Sequence, residues 1–193
     1  MGEPTHDSSG DEKVPRAPRL TDISRLCAEL NRLGARYVVV GGFAIIQAGY
    51  ARLTTDLDLL VDTSAENEAK VFEALRLLPD KAVNQLDPGD IEKFTVVRVG
   101  DEILVDLMKS GCGVDYAEAI KDADYHELGG VKIPFASPKT LWRMKQTLRE
   151  KDAPDRHFLR MLLESQGLKV EATPPDTAPL IGVAGWIKKL FKK

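Results

Sequence analysis

Apolar positions recur along the chain at two different periods, and the switches between them mark the elements. Ile23, Leu26, Cys27, Leu30 and Leu33 fall three and four residues apart, which predicts one face of a helix. Thr21 or Asp22 is placed to cap it, and Gly34 to stop it. Tyr37 to Val40 is a continuous strand-type run that ends on Gly41-Gly42, and a short helix from Phe43 to Ala48 follows. From Asp56 to Asp62, carboxylates and aliphatic residues alternate, which is strand periodicity. Thr63 and Glu66 form a capping-box pattern for a helix to about Leu78, stopped by Pro79, and residues 80–90 read as a loop. Two hairpins are predicted: 94–99 with 102–108 around Gly100-Asp101, and 125–128 with 131–134 around Gly129-Gly130. A short helix covers 115–121. Ser137 or Pro138 opens a helix to about Arg149, and another runs from about Pro154 to Gln166 and stops at Gly167. This order predicts an α/β (α+β) fold, a small mixed twisted sheet flanked by helices rather than a doubly wound sheet.

The chain of 193 residues suits one domain with tails. Residues 1–19, polar and with three prolines, predict a disordered arm; 20–167 form the domain. Residues 168–179, again with three prolines, read as a linker. In 180–193, Leu180, Val183, Ala184, Ile187, Leu190 and Phe191 recur at helical spacing among four lysines. Three roles are open for this basic amphipathic tail. It could lie on a membrane surface with Trp186 at the headgroups, steer a partner or RNA, or dock on its own domain, the reading preferred here. A net charge of −3 excludes a general nucleic-acid coat protein, and two cysteines exclude a disulfide scaffold or a Cys-rich zinc site. No apolar run reaches the ~18 residues of a membrane span, and the N-terminus has no apolar signal core, so a cytoplasmic protein is expected.

The chemistry is concentrated between Tyr37 and Asp62. Two glycines between a strand and a helix allow a tight turn and close approach to a ligand. Asp56 and Asp58 leave the same strand face about 7 Å apart at their Cα atoms, while Leu57, Leu59 and Val61 point the other way. Adjacent carboxylates repel, and a divalent cation with a taste for oxygen, such as Mg²⁺, removes that penalty. The plainer alternative is a solvated strand face. Asp106 interrupts an apolar strand, where a carboxylate is costly unless compensated, and on a neighbouring strand it would complete a three-carboxylate cluster. Asp62, Asp101 and Glu102 lie at element ends and are expected in solvent.

Val40-Gly41-Gly42, a gap of thirteen residues, then Asp56-Leu57-Asp58-Leu59 resembles the DNA polymerase β-like nucleotidyltransferase superfamily. The longer string, with Gly49, Arg52, Thr54, Asp56 and Asp58 in order, looks like the minimal bacterial nucleotidyltransferases, which include toxin-like proteins of abortive-infection systems. Ser137, Pro138, Leu141, Lys145, Lys151 and Asp152 resemble a second, weaker motif of that group. The resemblance spans about residues 20–166. It implies attack of an acceptor hydroxyl on the α-phosphorus of a nucleoside triphosphate (NTP), with two Mg²⁺ ions held by Asp56, Asp58 and Asp106. Gly41 and Gly42 would donate backbone N–H groups to the phosphates, and Arg52, Lys145 and Lys151 would bind them. Many members carry Ser after the glycines where this chain has Phe43, so Thr54 or Thr55 is the candidate hydroxyl. The relatives suggest a tRNA 3′ end as acceptor, with a protein or small-molecule hydroxyl as alternatives, and a toxin paired with an antitoxin protein. Rival readings are a non-catalytic nucleotide-binding module and a membrane-peripheral adaptor acting through 180–193.

Overall fold

The computed structural model describes residues 14–170. The tail at 180–193, most of the proposed linker and the first part of the proposed arm lie outside the described residues.

Helix α1 (Leu20–Arg32) buries Ile23, Leu26, Cys27 and Leu30, the face that the spacing predicts. Asp22 works from inside its first turn: its carboxylate accepts the Arg19 N–H at 2.7 Å, and Arg19, not Thr21 or Asp22, is the capping position. Gly34 ends the helix at φ +64°, a conformation that favours glycine. Strand β1 (Tyr37–Val39) leads into α2 (Gly41–Gln47), then β2 (Asp56–Val61) and α3 (Ala65–Leu75). The cap of α3 is Ser64 rather than Thr63; its hydroxyl accepts the Asn67 N–H at 3.4 Å. Asn67 itself is fully buried and ties the β1 entrance to the β2 exit through the carbonyls of Arg36 and Asp62.

The expected loop at 80–90 holds a short 3₁₀ turn at 82–85 and leads into α4 (Asp90–Lys93). Strands β3 (Val96–Gly100) and β4 (Leu104–Met108) follow, then a tiny pair, β5 (Ser110–Gly111) and β6 (Val114–Asp115), and α5 (Tyr116–Ala119). A hairpin of β7 (Asp124–Leu128) and β8 (Val131–Phe135) turns at Gly129-Gly130, both at positive φ as a tight primed turn requires. Helices α6 (Pro138–Met144) and α7 (Ala153–Ser165) complete the domain.

Six strands form one mixed sheet in the order β3-β4-β2-β1-β8-β7. β2 pairs parallel with β4, and β1 parallel with β8, while the remaining neighbours are antiparallel. Leu57, Leu59, Val105 and Leu107 are wholly buried, which leaves the alternate residues of β2 and β4 to the other face. α1 packs on α3 and β8, and α2 packs on β2 and α6. Among the described residues no helix is long and apolar enough to cross a membrane.

Several expectations differ from the structure. The β3–β4 turn has three residues, 101–103, because Gly100 pairs with Leu104. Asp101 is not in solvent: it is 3% exposed, and its carboxylate accepts backbone N–H groups of Asp80, Ala82 and Glu102 at 3.0, 2.9 and 2.7 Å. Asp62 and Glu102 are held as well, by Arg36 and Arg16. Next, α6 ends at Met144, five residues before Arg149, because Arg156 reaches over to donate to the carbonyls of Lys145 and Thr147 and closes the turn. Lastly, residues 14–19 of the proposed arm lie against the domain: the Arg16 N–H donates to the Glu102 carbonyl at 3.0 Å, and its guanidinium joins Asp22 of α1 to Glu102.

Candidate active site

Parallel pairing of β2 with β4 sets Asp58 opposite Asp106, and strand alternation puts Asp56 on the same face. Carboxylate oxygens of these three residues lie within 4.8 Å of one another. The sequence-predicted trio therefore converges, and Asp106 is 6% exposed. Such a donor set, all oxygen and all anionic, fits a hard divalent cation such as Mg²⁺ and offers nothing to a thiophilic metal.

The glycine turn is explained by what stands beside it. The Val40 N–H donates to the Asp58 carbonyl at 3.0 Å and extends the β1–β2 ladder by one rung. Gly41 then sits over the Asp58 side chain at φ +61°, where a Cβ would come within 1.8 Å of Asp58 Oδ2. At Gly42 a Cβ would lie 2.3 Å from Thr54 Oγ1. The Gly42 N–H lies beside the Asp58 carboxylate and favours its ionised form. Burial, then repulsion from Asp56 and Asp106, pushes the Asp58 carboxyl up to about 6, against the opposing pull of Lys145 and the Gly42 N–H.

Across the same cavity stand Arg52, Lys145, Arg149 and Lys151. Two of them are anchored on acids of the α6–α7 junction. Lys145 Nζ lies 2.8 Å from Asp152 Oδ1 and 2.9 Å from Asp155 Oδ2, and Arg52 Nη1 lies 2.5 Å from the same Asp155 oxygen. Asp152 also accepts from Thr147 Oγ1 at 2.5 Å and Arg149 Nε at 2.9 Å. Burial opposes its ionisation, yet the bonds from Lys145 and Thr147 hold Asp152 below the usual carboxylate range. Both acids are 1% exposed, and paired in this way they fix two cations toward the cleft. Lys151 is exposed along the cavity wall.

Of the hydroxyls considered, Thr54 lines the cavity and donates to Asp56 Oδ1 at 3.3 Å. Thr55 is exposed, at a bend just before β2, and outside the lining. Arg149 and Asp155 join the site without having been expected there. So does Arg98, which β3 sets opposite Asp106: its Nε and Nη2 donate to the two carboxylate oxygens at 2.8 and 2.7 Å, and Nη2 is 3.5 Å from Asp56 Oδ2. The hydrogen bonds to Asp106 come first among the causes that raise its own pKa.

No protein-family model matches the chain, and no curated protein sequence does either. Solved structures do resemble it. One is an antigenic nucleotidyltransferase-like protein from Paracoccidioides brasiliensis, 19% identical with a TM-score of 0.48, the match covering 78% of this chain and 79% of that one. Another is the antibiotic-resistance factor ANT(2″)-Ia. Its solution structure is 13% identical with a TM-score of 0.48 over 76% of this chain and 85% of that one. Its crystal complex with adenylyl-2″-tobramycin is 14% identical with a TM-score of 0.46 over 77% and 91%.

Proposed function

We propose that this protein is a nucleotidyltransferase that moves a nucleoside monophosphate from an NTP to a hydroxyl acceptor, with Asp56, Asp58 and Asp106 holding Mg²⁺. The observation that carries the reading is one cavity lined both by three converging carboxylates and by Arg52, Arg98, Lys145, Arg149 and Lys151. When bound there, magnesium neutralises phosphate charge and lowers the pKa of the attacking hydroxyl. Asp56 and Asp58 would hold the cation. Asp106 orients the acceptor and takes its proton on a carboxylate oxygen. Arg52, Lys145 and Lys151 offset the negative charge of the triphosphate, and Arg52 brings a planar fork suited to phosphate oxygens. Gly41 and Gly42 let the chain pass close enough to the acids for the phosphates to lie against backbone. Thr54 supplies the hydroxyl that Phe43 cannot. The acceptor oxygen forms its bond to the α-phosphorus as the bond to the bridging oxygen breaks, and pyrophosphate leaves.

The test incubates the protein with each α-labelled triphosphate, Mg²⁺, and in turn tRNA, total protein or a polyhydroxylated small molecule. Label is expected in one acceptor fraction. The Asp56→Asn, Asp58→Asn double variant should keep its circular dichroism and transfer nothing. Undiminished transfer by that variant, or no transfer to any acceptor, overturns the proposal. A toxin role predicts growth arrest on induction of the native chain, absent with the double variant.

A further inference from the structure

We propose that Arg98 is a movable internal cation that closes Asp106 until a triphosphate draws it away, so that a divalent ion gains the third carboxylate only together with nucleotide. This rests on the reading of the three acids as a divalent-metal site.

The geometry makes Arg98 more than a neighbour. Its fork covers both Asp106 oxygens at once, at 2.8 and 2.7 Å, and the same Nη2 leans 3.5 Å from Asp56 Oδ2. One guanidinium thus neutralises part of a cluster whose members repel one another. It also holds positive charge where a metal ion would need to bring its own. A divalent cation arriving alone must compete with the fork for Asp106 and sit beside a like charge.

The most buried cation of the cleft is not arranged to move. Lys145 is 9% exposed and locked between two buried carboxylates. The Arg98 side chain is 50% exposed, on β3, an edge strand of the sheet, so its guanidinium has solvent to swing into, while the 9% exposed Asp106 side chain it would leave needs another cation in its place. A triphosphate offers the guanidinium several phosphate oxygens for the two it gives up. Release of Asp106 and arrival of the anion are then linked, and the linkage is reciprocal: nucleotide strengthens cation binding by the factor that cation strengthens nucleotide binding.

The test uses the full chain with Mn²⁺ as the probe, titrated by calorimetry without nucleotide, alongside thermal shifts with Mn²⁺, a non-transferable triphosphate analogue, and both. Arg98→Met keeps the length of the stem and removes the charge. It is expected to bind Mn²⁺ at least tenfold more tightly than the native chain without nucleotide. Its thermal shifts from Mn²⁺ and analogue should merely add, where those of the native chain exceed their sum. Arg98→Lys, a point charge without the fork, should fall between the two and serves if the methionine variant does not fold. Equal or weaker nucleotide-free Mn²⁺ affinity in both variants overturns the gate while leaving the metal site standing. Absence of Mn²⁺ uptake by every protein, with or without analogue, removes the metal site itself.

Discussion

Replacing Asp58 by Asn should stabilise the metal-free protein while destroying its chemistry. The carboxyl is pushed from its ordinary 3.8 to about 6 by burial and by its two acidic neighbours. The folded state therefore binds this proton more tightly than the unfolded chain does. That contribution is complete below about pH 4 and is lost as pH rises through about 6. A shift of that size corresponds to about 3 kcal/mol at neutral pH. Solvent screening in an open cleft reduces it to about 1–2 kcal/mol. An amide keeps an acceptor for the Gly42 N–H and turns a donor toward the remaining acids, so little is lost in exchange. Urea unfolding with a chelator present should show the variant more stable by this amount at pH 7.5 and by only about a third of it at pH 4.5. Saturating Mg²⁺ should reverse the order, because it stabilises only the chain that binds it. A variant less stable at pH 7.5, or a gain that is the same at both pH values, would refute the electrostatic account.

Gly41→Ala and Gly34→Ala place the same residue at nearly the same φ, +61° and +64°, but only the first meets Asp58. Gly34→Ala should cost about 1 kcal/mol by denaturation, and Gly41→Ala about 2 kcal/mol more, with loss of transfer. Lys145→Met leaves Asp152 and Asp155 with only Arg149, Thr147 and Arg52, and should destabilise by about 3 kcal/mol, read as a lower urea midpoint. Asp101→Ala abandons three backbone donors and should cost about 1–3 kcal/mol in the same assay.

The acidic trio was readable because strand alternation is rigid: once Asp56 and Asp58 share a strand, they share a face. The helix face of α1, the span of α7 and the tight Gly129-Gly130 hairpin were readable for similar local reasons. What escaped is decided at a distance. A two-residue turn at Gly100-Asp101 would set Thr95 opposite Asp106. The three-residue turn, held by the buried Asp101 carboxylate, sets Arg98 there instead. Lys145 was expected on a long helix, and Asp152 as part of the weaker second motif, with no contact between them. The two are brought together where α6 breaks, and no periodicity announces that break. Asp155 carried no motif at all, although it anchors two of the cleft cations.

Arg16 has a bearing on how far the chain can be trimmed. By straddling Asp22 and Glu102 it staples the start of the first helix to the bend that sets the β3–β4 register. A shortened protein beginning at Leu20 would keep every side chain of the cleft and lose that staple. The alignment of Arg98 with Asp106 would then rest on the β3–β4 ladder and the Asp101 carboxylate without that outer tie, so shortening at the amino end bears on the cleft without touching it.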